Sequence, residues 1–180
     1  MLPADFDFQR DHFQLFGLAQ AFRMDAEQLE RQYRALQTLV HPDRSAHLPD
    51  AEQRLAVQRA TLVNEAYQTL RSPIRRARYL LSLRGVDTRE DTNTAMPVDF
   101  LMEQMEWREA VADAQQVRDA AMLGKLEARL HHETGEMQAR LADKIDTEKN
   151  YADAAGLVRK LRFMEKLSEE IRSAYDAMDD

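Results

Sequence analysis

Pro42 separates two long amphipathic helical patterns, and this break restricts the fold more than any other feature of the chain. Four apolar residues before it recur at spacings of four, three and four, on one helical face: Leu29, Tyr33, Leu36 and Val40. The residues after it repeat the helical period in a stripe formed by Ala56, Ala60, Val63, Tyr67 and Leu70. Proline removes a backbone donor and disfavours the α conformation of the residue before it. The sequence therefore predicts two helices joined by a loop over residues 41–49.

Helix boundaries are marked by several residues with local preferences. Asp25 and Asp50 precede or open helical patterns, so both are predicted N-caps. Pro73 suits the first position of a short basic helix, and Gly85 suits its end. Only five glycines and five prolines occur among 180 residues, a composition that favours long helices over a turn-rich β fold.

Three further helical patterns cover residues 98–113, 116–146 and 151–178. Residues 85–97 lack periodicity and are rich in charged and turn-forming residues, so we interpret them as a linker. The expected architecture is all-α, with an N-terminal helical unit over residues 1–84 and an antiparallel three-helix bundle over residues 98–180.

Charge is distributed unevenly between these two parts. Residues 1–84 carry 12 Lys and Arg against 10 Asp and Glu, and residues 85–180 carry 13 against 22, giving net charges of +2 and −9. A chain with a net charge of −7 is expected to bind nucleic acid poorly. There is no cysteine, no signal pattern and no apolar run long enough to span a membrane, which together are consistent with a cytoplasmic protein.

The first helix of the bundle carries more apolar residues than one buried face requires. Its expected core face consists of Phe100, Trp107, Ala110, Val111 and Ala114. Leu101, Met102 and Met105 fall on the opposite side, bordered by Glu106 and Glu109. An exposed apolar patch with an acidic rim is typical of a protein interface, and methionine adapts to the shape of a partner.

Phe163 on the last helix is predicted to be exposed beside its core stripe, close to several basic residues. It could extend the apolar surface of the first bundle helix if the two helices are neighbours. Alternatively, this face packs against the N-terminal unit. Periodicity leaves both interpretations open.

The N-terminal unit resembles a J-domain over about residues 11–84. The resemblance lies in His41-Pro42-Asp43 between two helices, Val63-Asn64-Glu65-Ala66-Tyr67 with Leu70, Ser72-Pro73, an arginine-rich turn with Tyr79, and Phe16-Gly17-Leu18. It implies that His41, Pro42 and Asp43 contact a DnaK-type ATP-driven chaperone and stimulate its ATP hydrolysis. Arg31 and Arg34 would steer the chaperone into register, although an ordinary solvated helix face explains these arginines equally well.

Nearly the whole chain is similar to the HscB family of iron–sulfur co-chaperones. Three segments carry this resemblance: Phe100-Leu101-Met102-Glu103-Gln104-Met105 with Arg108-Glu109, Val158-Arg159-Lys160-Leu161-Arg162-Phe163, and Arg78-Tyr79-Leu80-Leu81. It implies delivery of an IscU-type iron–sulfur scaffold protein to a specialised, HscA-type chaperone. The implied scaffold contacts are Leu101, Met102, Met105, Glu106, Glu109 and Phe163. The sequence lacks a glycine-rich phosphate loop, a nucleophile motif and cysteine, so we expect an adaptor without catalytic residues, metal or cofactor.

Two alternatives remain. The J-domain could serve a different client protein. A small metal enzyme could instead use His131, His132 and Glu136, where His132 and Glu136 have the i, i+4 spacing of a metal pair. Both histidines fall opposite the apolar stripe of their helix, and the sequence offers no further ligand, so a solvated face is the favoured interpretation.

Overall fold

The computed structural model describes residues 9–40, 49–88 and 97–179, and these residues contain helices but no strand. The chain divides into two compact units, Met1–Leu83 and Arg84–Asp180, one residue from the expected boundary. The predicted all-α fold class is confirmed. His41-Pro42-Asp43 and most of the expected linker lie outside the described residues.

The described residues of the N-terminal unit contain four helices: α1 His12–Leu15, α2 Ala26–Val40, α3 Asp50–Arg71 and α4 Pro73–Leu83. Asp11 and Gln14 form a reciprocal capping box at the start of α1. Gly17 follows α1 with φ of +63°, a left-handed conformation that glycine adopts without a steric penalty. The same argument explains Gly85, where φ is +73° just after α4, as the sequence predicted.

Two helix starts follow the sequence prediction and one does not. The Asp25 carboxylate accepts hydrogen bonds from the amides of Glu27 and Gln28, so it caps α2. Pro73 occupies the first position of α4. The prediction that Asp50 caps α3 is wrong, because Pro49 takes the N-cap position and Asp50 is already helical.

The core of the N-terminal unit lies where α1 and α2 pack against α3, and α3 against α4. Its buried side chains include Phe13, Phe16, Leu29, Val63, Leu70 and Leu81. Tyr79 joins α4 to α1, since its ring stacks on His12 and its hydroxyl accepts a hydrogen bond from the His12 amide at 3.0 Å.

The C-terminal unit contains α5 Val98–Gln116, α6 Ala120–Ala142 and α7 Tyr151–Asp179. A π-helical turn, Asp143–Thr147, continues α6 and was not anticipated. Phe100 meets Phe163 near the start of α5, and Arg108 meets Glu170 further along both helices. These two contacts show that α5 and α7 run in the same direction, so the intervening α6 runs antiparallel to both.

The three helices enclose one continuous apolar core. It contains Phe100, Trp107, Val111, Ala114, Leu123, Leu130, Phe163, Met164, Leu167, Ile171 and Ala174. The expected core face of α5 is confirmed for Phe100, Trp107, Val111 and Ala114, whereas Ala110 is only half-buried. Because this face is occupied by the bundle, an apolar residue on the opposite side of α5 faces away from the bundle core.

Candidate functional site

Two stacked tyrosines hold α2 against α3, the helices that precede and follow the His-Pro-Asp loop. The rings of Tyr33 and Tyr67 lie 3.9 Å apart at 10°. The Tyr33 hydroxyl donates to Asn64 Oδ1 at 2.9 Å and accepts from Gln37 Nε2 at 2.6 Å. The pair is therefore fixed by polar contacts as well as by apolar packing.

Glu30 connects this tyrosine pair to the exposed face of α2. Its carboxylate accepts hydrogen bonds from the Tyr67 hydroxyl and from Arg34 Nε, the latter at 2.8 Å. The Tyr67 hydrogen bond, followed by that of Arg34, lowers the pKa of Glu30. The same bond raises the pKa of Tyr67, because the hydroxyl proton is held by a carboxylate.

Arg31 and Arg34 are exposed on α2, as predicted. Each already has a local partner: Arg34 pairs with Glu30 at 2.8 Å, and Arg31 with Glu27 at 3.6 Å. Exposed pairs of this kind contribute at most about 1 kcal/mol. Both guanidinium groups can therefore exchange their local carboxylate for one on a binding partner at little cost.

α5 carries an exposed apolar stripe on the side facing away from the bundle core. The side chains of Leu101, Met102 and Met105 are 41%, 59% and 72% exposed, which confirms the expected surplus apolar face. Val98, which the sequence analysis did not select, is 70% exposed on the same stripe. The four residues have i, i+3, i+4 and i+7 spacing, and this periodicity would have identified Val98. We call Val98, Leu101, Met102 and Met105 the apolar patch.

Acidic residues border the apolar patch. Glu106 and Glu109 are exposed on α5, each four residues after one of the patch methionines. Residues four apart on a helix are neighbours on its surface, so each carboxylate lies next to a thioether side chain. The surface combines an apolar centre with a negative edge.

The prediction that Phe163 is exposed is wrong. Its side chain is only 7% exposed and belongs to the bundle core. Its ring meets Phe100 edge to face at a centroid distance of 5.6 Å, and the Arg108 guanidinium lies 5.5 Å from the ring centre. The reason is geometric: α7 packs against both α5 and α6, so its buried arc is wider than a single helical stripe. Phe163 lies inside the bundle rather than within the apolar patch.

The candidate metal pair, His132 and Glu136, lacks the further ligands that a metal site requires. His132 Nε2 lies 3.6 Å from Glu136 Oε1 on an exposed face of α6. Within residues 9–40, 49–88 and 97–179, no three His, Cys, Asp or Glu side chains are grouped so that they could hold a metal ion. Among the helices that the structure describes, none has the length and apolar character needed to span a bilayer.

Comparisons with known proteins agree with this two-part organisation. Residues 11–79 match the model of the DnaJ domain, and residues 96–172 match that of the HSCB C-terminal oligomerisation domain. The chain is 50% identical over 173 residues to a co-chaperone protein HscB homolog from Azoarcus sp. (strain BH72), covering 96% of this chain and 98% of the relative. A co-chaperone protein HscB homolog from Chromobacterium violaceum is 52% identical over 174 residues, covering 97% and 98%.

Solved structures show the same relationship. Chaperone HscB from Vibrio cholerae superposes with a TM-score of 0.85 at 36% identity, covering 94% of this chain and 99% of the other. Human co-chaperone protein HscB superposes with a TM-score of 0.87 at 31% identity, covering 93% and 83%.

Proposed function

Because the chain belongs to the HscB family, the J-domain co-chaperones of the iron–sulfur cluster assembly system, we propose that it delivers an IscU-type scaffold protein to an HscA-type chaperone. In this proposal the C-terminal unit binds the scaffold, and the J-domain binds the chaperone and stimulates its ATPase. The protein acts as an adaptor, and ATP is hydrolysed by the chaperone.

The observation that carries the proposal is the exposure of the apolar patch on α5. Large apolar side chains remain in water there although the same helix buries Phe100 and Trp107 on its other face. Burying side chains of this size in a complex contributes about 1.5–3 kcal/mol each before the costs of association. Burial of the patch can therefore contribute favourable binding energy to a complex with a protein client.

The acidic edge gives the patch a preferred partner. Glu106 and Glu109 favour a client surface that carries Lys or Arg around an apolar centre. Charges at the rim of an interface affect the association rate and the orientation more than the final affinity. Phe163 supports this surface indirectly, because it packs against Phe100 on the buried side of α5.

On the J-domain, His41, Pro42 and Asp43 are the proposed chaperone contacts, with Arg31 and Arg34 on the preceding helix. Asp43 provides a short carboxylate for a charge-assisted hydrogen bond to a guanidinium group of the chaperone. Exposed arginines on α2 favour an acidic surface on the chaperone. When both partners are bound, the client's local concentration at the chaperone rises without any new contact between them.

Isothermal titration calorimetry against a purified IscU-type scaffold tests the client surface. We expect Leu101→Ser/Met105→Ser to weaken binding at least tenfold, because two exposed apolar contacts are lost without disturbing the bundle core. Val117→Ser is the matched control, since Val117 is 68% exposed just beyond the other end of α5. Phe163→Ser is unsuitable here, because it would disrupt the core.

Three outcomes separate the alternatives. Weaker binding of the patch variant with an unchanged control supports the proposal. Equal binding by wild type and patch variant shows that the surface is assigned wrongly. If the wild-type protein stimulates an HscA-type chaperone but does not bind the scaffold, this result favours the alternative function, a J-domain co-chaperone with a different client.

A further inference from the structure

We propose that Met102 and Met105 form a peroxide-sensitive modification site, whose oxidation to methionine sulfoxide weakens client binding by the apolar patch. The inference rests on the proposed function of that patch. It adds regulation of the same surface by oxidants.

The sulfur atoms of the chain are unevenly accessible. The sequence contains nine methionines and no cysteine, so every side-chain sulfur is a thioether. Met102 and Met105 are exposed, whereas Met164 is 2% exposed in the bundle core and the other methionines of the described residues are half-buried. Thioether oxidation depends on access, so among the methionines that the structure describes the two in the patch should react first.

The chemistry requires only a peroxide. The thioether sulfur attacks one oxygen of hydrogen peroxide, an S–O bond forms and the O–O bond breaks. Sulfur loses two electrons, and the second peroxide oxygen leaves as hydroxide, which takes the proton from the transferred oxygen and becomes water. The product is a sulfoxide, which methionine sulfoxide reductases return to the thioether.

The sulfoxide group would be poorly accommodated at this surface. It replaces an apolar, adaptable side chain with a polar one, and burying a polar group without a hydrogen-bond donor opposes binding. The neighbours four residues on are Glu106 and Glu109, which accept rather than donate hydrogen bonds. Arg108, three residues after Met105, is the nearby donor, and it would have to leave both Glu170, at 3.3 Å, and the Phe163 ring to reach a sulfoxide there.

The test combines site-resolved mass spectrometry with calorimetry on the full chain. After limited treatment with hydrogen peroxide, we expect oxidation at Met105 and Met102 well before Met164. The treated protein should bind the scaffold at least tenfold more weakly, and a methionine sulfoxide reductase should restore binding. Excess scaffold present during treatment should protect both residues.

Met102→Leu/Met105→Leu provides the matched control, because leucine keeps the apolar volume and has no sulfur. Whatever affinity this variant has before treatment, peroxide should leave that affinity unchanged, because no sulfur remains in the patch. The inference is overturned if Met164 oxidises as fast as the patch methionines, or if oxidised wild type binds normally. It is also overturned if the leucine variant loses binding to the same extent after treatment. If untreated protein does not bind the scaffold, the proposed function fails and this inference fails with it.

Discussion

Phe163→Ala distinguishes a core residue from a surface contact. Removing a buried phenylalanine ring costs about 3–5 kcal/mol, because apolar burial is lost and a cavity remains. Phe163 is such a buried phenylalanine, since its side chain is 7% exposed and its ring contacts Phe100 edge to face. By contrast, Met105→Ala removes a side chain that is mostly in water, so its cost should stay within about 0.5 kcal/mol.

The sole tryptophan of the chain makes the measurement specific to the C-terminal unit. Trp107 is buried in the same core cluster as Phe163, so its fluorescence reports the unfolding of that unit. Urea titration should show a lower midpoint for Phe163→Ala with an unchanged slope, and the wild-type midpoint for Met105→Ala.

The effects of these two substitutions on scaffold binding should be the reverse of their effects on stability. Met105→Ala should weaken scaffold binding while leaving the unfolding free energy unchanged. The Phe163→Ala protein should lose scaffold binding only under conditions in which its C-terminal unit is unfolded. A Phe163→Ala protein with wild-type stability and impaired binding would refute the assignment of Phe163 to the core.

Three further changes test the N-terminal unit. His41→Gln should retain the helical content by circular dichroism yet fail to stimulate single-turnover ATP hydrolysis by the cognate chaperone; normal stimulation would contradict the role of the loop. Arg31→Glu/Arg34→Glu should lower the association rate with the chaperone, with a smaller salt dependence than wild type, as measured by stopped-flow fluorescence. Glu30→Gln should reduce the amount of stability that the N-terminal unit loses as the pH falls. The folded-state pKa of Glu30 lies below its ordinary value of 4.5, so its contribution to stability is present above pH 4.5 and is lost as the pH falls through the lower folded-state pKa. Equal pH dependence of unfolding in wild type and variant would show that the Tyr67–Glu30 bond contributes nothing.

Local chemistry accounts for most helix boundaries that the sequence predicted correctly. Asp25, Pro73 and Gly85 act through their own side chains or backbone conformations, so their roles can be recognised without knowing the rest of the fold. Asp50 shows the limit of this approach. It was assigned as a cap from its residue type, but the helix begins one position earlier than that assignment requires.

Helical periodicity also predicted much of the candidate client surface. Leu101, Met102 and Met105 were correctly placed opposite the core face of α5, because that face is set by spacing along one helix. Val98 was missed although it has the same spacing. The predicted helix already began at residue 98, so extending the spacing of the stripe by one turn towards the N-terminus would have included it.

The sequence by itself determined most of the helices, the interruption between α2 and α3, the family resemblance and the direction in which the apolar patch faces, since each depends on residues close together in the chain. Only the tertiary structure decided where Phe163 lies. One helical pattern defines the centre of a buried face but not its width, and the width depends on how many neighbouring helices pack against it. Because α7 contacts both α5 and α6, the core extends far enough around α7 to enclose Phe163.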